Sequence, residues 1–139
     1  MATFNKFQPF IEDVFEGVHN FGSHQLVVAL CSAANAPAAT NRVLADLTQI
    51  AYTNLSSRNI TSGTSSQTSG TYKLFLTDLV LTASGAVASF QYVVIYNDTP
   101  TSPADPLVGY YDHGSVVTLA SGETYTIDFD GTNGFIQAS

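Results

Sequence analysis

The sequence predicts a mainly β protein, an antiparallel β-sandwich or jelly roll of about eight strands preceded by one N-terminal α-helix. Three observations predict it. One stretch, near the N-terminus, keeps a helical period over several turns, and nowhere else in the 139 residues does that period persist. The remainder divides into short apolar runs that either alternate with polar residues or are apolar throughout. Gly, Pro, Asn and Asp separate these runs about every 8–12 residues, the spacing of a sandwich rather than of βαβ units.

Each element follows from its residues. Phe4, Phe7, Phe10, Ile11, Val14, Phe15 and Val18 recur at spacings of three and four, as on one face of a helix. Pro9 either falls in the first turn of a helix capped by Asn5 or opens the helix itself after an extended arm ending at Gln8. Phe10, Ile11, Val14, Phe15 and Val18 are then expected in the core, with Phe4 and Phe7 on an arm that reaches a partner, and His19 and Gly22 near the helix stop. His24 to Cys31 reads as a buried strand. Arg42 to Ala51 reads as a short helix or an irregular strand, and the Thr-rich stretch 53–70 as an exposed edge strand flanked by loops. Thr71 to Thr77 alternates, Val87 to Tyr96 is a central strand, and Leu107 to Tyr111, Ser115 to Leu119 and Glu123 to Phe129 are short strands. In the last, Tyr125, Ile127 and Phe129 face the core. The length predicts a single domain, 1–139, with residues 1–22 as arm and helix and 23–139 as the sandwich.

Composition narrows the function. Hydrophobic residues make up 45% and charged ones 11%, against an ordinary ~25% charged, which excludes disorder and coiled coil. Four basic and 11 acidic side chains give a net charge of −7, a field that repels nucleic acid and anionic membranes. Few long, mobile charged side chains need ordering when such a surface is covered by another protein. The single cysteine, Cys31, lies in an apolar run and reads as core filler, so no internal disulfide forms and no oxidising compartment is implied. No apolar run reaches membrane-spanning length, and the N-terminus lacks a signal-peptide layout, so synthesis in the cytoplasm without export is expected.

No catalytic constellation emerges. His19, His24 and His113 show no metal-ligand spacing and read as surface or satisfied histidines. Asp112, His113 and Ser115 have triad residue types, but sequence neighbours at a strand end point apart. Asp128 to Gly134 places oxygen side chains before glycine, yet its register does not fit an EF-hand, and a strand ending in D-G and N-G turns is the expectation. The reading is therefore no enzyme, no cofactor and no metal. Aromatic residues remain as partner-binding candidates: Phe4 and Phe7 on the arm, and Tyr110 and Tyr111, whose rings lie on opposite faces of one strand so that at most one is in the core.

Five stretches carry a resemblance: KFQPFIEDVFEGVHNFGSHQLVVAL at 6–30, NRVLADLTQIA at 41–51, GTYKLFLTDLVLTASG at 70–85, FQYVVIYNDT at 90–99 and DPLVGYYDHGSVVTLASGETYTIDFDGTNG at 105–134. Together they cover most of the chain, which resembles the jelly-roll cement, or decoration, proteins of the capsids of short-tailed bacteriophages. The resemblance implies a virion structural protein on the capsid exterior, with the major capsid protein and a second copy of itself as partners, tying neighbouring capsomeres together. It assigns no site residue. The alternative is a tail or fibre component binding host-surface glycan through Tyr110 or Tyr111 and the 128–134 loop.

Overall fold

A computed structural model describes residues 2–139. Within them the chain forms nine strands, β1 (Phe4–Lys6), β2 (Leu26–Cys31), β3 (Ser62–Thr68), β4 (Thr71–Leu76), β5 (Leu79–Thr82), β6 (Phe90–Asn97), β7 (Leu107–Val117), β8 (Thr124–Ile127) and β9 (Ile136–Ala138). The single α-helix, α1, is Pro9–Phe15, and short 3-10 turns occupy Ala33–Asn35 and Leu44–Asp46. The fold is mainly β and antiparallel, as the sequence predicts.

One sheet has the order β1-β7-β6-β2. The other layer contains β3-β4-β9 and the ribbon β5-β8, in which the same two stretches of chain pair twice, first around Leu74 and Ile136 and then around Leu79 and Ile127. Aromatic rings bridge the layers: Phe4 meets Phe135 at 4.8 Å, Phe90 meets Tyr125 at 5.3 Å and Tyr111 meets Phe129 at 6.4 Å between centroids. These distances suit edge and tilted contacts, which add to the area the rings bury.

β2 is buried along its whole length, as its unbroken Leu-Val-Val-Ala-Leu-Cys run requires. Its outer edge is closed by residues 58–60, where Val28 N–H donates to the Arg58 carbonyl and Ile60 N–H to the Leu26 carbonyl. Cys31 is fully buried, and burial pushes its thiol up to about 11, which fits inert core filler. β6 is interior, and β3 is the exposed edge of its sheet. The 42–51 stretch resolves as neither of its two alternatives but as a loop with one 3-10 turn. Strands β1, β5 and β9 were not foreseen. The two strands expected at 107–111 and 115–119 are instead one strand, β7, with a register irregularity opposite β6 and Gly114 at φ 83°.

The N-terminal segment departs most from expectation. Pro9 opens the helix, the second of the two alternatives, and Gln8 N–H donates to the Ala39 carbonyl. The helix stops seven residues later because Gly17 takes φ 79° and donates to the Val14 carbonyl, well before Gly22. The arm is not free: Phe4, Asn5 and Lys6 pair with Tyr111, Tyr110 and Gly109. Residues 1–22 therefore contribute a strand to the sandwich itself.

Gly109 is what lets β1 lie there. A Cβ built on it would stand 2.3 Å from Phe4 Cζ and 2.8 Å from the Asn5 carbonyl oxygen. Gly109→Ala is expected to displace the Phe4 ring at a cost of about 1–3 kcal/mol, read as a lower urea midpoint with an unchanged slope.

Candidate functional site

Phe7 is 0% exposed. Its ring lies 5.3 Å from that of Tyr110 on one face of the first sheet, while Phe4, half-buried, lies 5.4 Å from Tyr111 on the other. Alternation along β1 explains the split: positions 4 and 7 sit an odd number of residues apart in extended chain, so their side chains leave on opposite faces. Phe7 thus belongs to the core and is no partner-reaching residue, and Phe4 packs between the layers. Tyr110 and Tyr111 do point to opposite faces, but both are half-buried, against Phe7 and Tyr92 on one side and Phe4 and Phe129 on the other.

The exposed aromatic is one the sequence placed inside. Phe15 is 85% exposed and Ile11 42%, although both belong to the apolar period. A seven-residue helix buries one narrow stripe, here Phe10, Asp13 and the partly buried Val14. At about 100° per residue, Ile11 and Phe15 lie on the side away from it, as i,i+4 neighbours. Exposed Glu12 and Glu16 flank them.

Buried charge holds this helix in place. Asp13 is fully buried and accepts from Arg42 Nη2 at 2.5 Å, while Glu12 stands 3.5 Å from the same nitrogen. Next to it, Asn97 Nδ2 donates to His19 Nδ1 at 3.1 Å and to His24 Nδ1 at 2.9 Å. No local pattern announces this cluster, because Asn97 is 78 and 73 residues from its partners. Burial is the main cause that lowers His19 to about 4, with Asp13 opposing and His24 reinforcing the shift.

The 128–134 segment is a self-capped turn. Asp130 Oδ1 accepts from the Thr132 and Asn133 N–H groups and Oδ2 from Asn133 Nδ2, and these bonds hold its carboxyl below the usual range. Asp112 likewise accepts from Gly114 N–H and Gln91, not from His113. Among the described residues no three His, Cys, Asp or Glu side chains cluster as a metal site.

Beside this turn lies a cleft of about 420 Å³, with Val93 and Ile127 as its floor and Tyr111, His113, Tyr125, Thr126 and Asp128 around it. The Tyr125 hydroxyl and His113 Nδ1 are 3.2 Å apart. Burial, with the Asp130 and Asp128 charges adding to it, pushes the Tyr111 hydroxyl up to about 12, so it remains a donor. Tyr111 and Asp128 are both singled out by the sequence, but only the packing of the two layers, with β7 in one sheet and β8 paired to β5 in the other, brings them to His113 and Tyr125. With this geometry in hand, comparison with protein-family models, with curated proteins and with solved structures gives no match.

Proposed function

We propose that the protein is a capsid decoration protein that docks on the outside of a major capsid shell and links neighbouring capsomeres. The observation that carries the reading is Phe15, exposed beside Ile11 on a helix that Phe7, Phe10 and the Asp13–Arg42 pair fix to the body. An aromatic carried on a helix already fixed to the body is an anchor whose backbone ordering cost has been met by folding. The sequence resemblance, whose first stretch contains this helix, supplies the partner.

Charge supports a protein partner over nucleic acid. Three of the four basic residues are engaged: Arg42 pairs with Asp13, Arg58 stacks 3.7 Å above Tyr52 while donating to the Val28 carbonyl, and Lys73 donates to the Thr132 carbonyl, leaving Lys6. The outward field is correspondingly acidic. A homodimer gripping two capsomeres makes its second contact intramolecular, which multiplies modest contacts by about 10²–10⁴.

Co-sedimentation with undecorated shells tests the reading. Phe15→Ser is expected to weaken shell binding by about 30-fold or more, as loss of a ~2 kcal/mol anchor does, while melting stays that of the parent. Parent-like shell binding by the variant sinks the assignment of α1. Quantified bands from purified virions separate this reading from a tail component: a capsid decoration protein is present in proportion to capsomeres, a tail protein in a few copies.

A further inference from the structure

The cleft between β7 and β8 is not used by the docking helix, and its chemistry points to a ligand of its own. Its volume, about 420 Å³, lies within the ~300–1,000 Å³ of small-molecule sites. The floor is apolar, formed by buried Val93 and Ile127, and half-buried tyrosine rings wall it. Three polar groups at its rim make no hydrogen bond to another described residue: the Tyr111 hydroxyl, His113 Nε2 and the Asp128 carboxylate.

We infer that this cleft binds a neutral pyranose, with the sugar's C–H face on the tyrosine rings and its hydroxyls on the Asp128 carboxylate, His113 Nε2 and the Tyr111 hydroxyl.

When the Tyr125 hydroxyl donates to His113 Nδ1, Nε2 carries the ring proton and is a donor. The rim then offers donors from His113 and Tyr111 and an acceptor pair from Asp128. A sugar hydroxyl both donates and accepts, so a vicinal pair of hydroxyls satisfies both kinds. An ammonium group would satisfy Asp128 and the ring faces but leave the donors unmet. Anionic sugars and phosphates are disfavoured by Asp128 beside Asp130 in a chain of net charge −7. The inference stands apart from capsid docking, since none of these groups belongs to α1.

Chemical-shift mapping on the full chain with the methyl glycosides of glucose, galactose, mannose and N-acetylglucosamine is the test, with sialic acid and trimethyllysine as contrasts. At least one neutral glycoside is expected to shift Tyr111, His113 and Tyr125 at about millimolar concentration, sialic acid to shift none of them, and Asp128→Asn to weaken binding about tenfold or more. Asp128 is exposed, so this variant is expected to melt like the parent and to co-sediment with shells unchanged. An immobilised polysaccharide ending in the bound sugar retains the protein if the source is a surface glycan and not if it is the free sugar; both results support the site. Silence from every neutral glycoside, occupancy by trimethyllysine alone, or sugar binding indifferent to Asp128→Asn overturns it.

Discussion

Phe7→Ala is expected to lower stability by about 3–5 kcal/mol and the melting temperature by about 10–15 °C, whereas Phe15→Ala is expected to stay within about 0.5 kcal/mol of the parent. The two phenylalanines look equivalent in a list of apolar positions, yet one is 0% and the other 85% exposed. Removing the Phe7 ring empties space between α1 and the sheet that Tyr110, held by its strand, cannot refill. Deleting residues 1–7 takes away β1 as well, uncovering an edge of β7. That truncation is therefore expected to unfold the protein rather than to spare the fold and abolish binding. Thermal melts of the three variants check the ordering, and a Phe7→Ala protein as stable as the parent would contradict the packing described here.

The same pair shows what the sequence disclosed and what it withheld. Period-2 runs such as Tyr125, Ile127 and Phe129, and apolar stretches such as Leu26 to Cys31, announce strands because burial of one or both faces leaves its mark in every residue. Positions 4 to 18 also keep a period, but Phe4–Lys6 is a strand and only Pro9–Phe15 is helical. Spacings of three and four are compatible with either when a segment is only a few residues long, so the period did not tell which phenylalanines lie inside. Pro9 opens the helix, the second of its two alternatives, and Gly17 rather than Gly22 is the stop signal. Strands β1, β5 and β9 are three or four residues each, too short for any period to register.

For the sites, residue type was legible and neighbourhood was not. Tyr111 and the 128–134 segment drew attention as an aromatic and an acidic turn, but the cleft they share with His113 and Tyr125 exists because β7 and β8 come together in the folded layers. His19 and His24 read as surface or satisfied histidines, and in the structure the Nδ1 atom of each accepts from Asn97. That one amide serves both of them is a property of tertiary structure, and nothing in the local sequence encodes it.

That shared amide makes the fold sensitive to acid. His19 Nδ1 accepts from Asn97, so protonating the ring puts a second donor against Asn97 Nδ2 in a site that is 9% exposed. The groups facing it are Asp13, which favours the charged ring, and His24, which opposes it, with Arg42 already engaged by Asp13. Burial outweighs Asp13, and the folded-state value falls from 6.5 to about 4. The unfolded chain then binds the proton first as pH falls. The stability His19 contributes is thus fully present above about pH 6.5, declines between 6.5 and 4, and is gone below, a total on the order of 3 kcal/mol. His19→Gln, which keeps an acceptor for Asn97 but has no titrating ring, is expected to remove this part of the pH dependence. Urea unfolding of both proteins at pH 7, 5.5 and 4 measures it: the parent should lose about 3 kcal/mol more than the variant over that range. Parallel losses in the two proteins would mean that His19 takes up its proton without disturbing Asn97, and that carboxylates elsewhere set the acid limit.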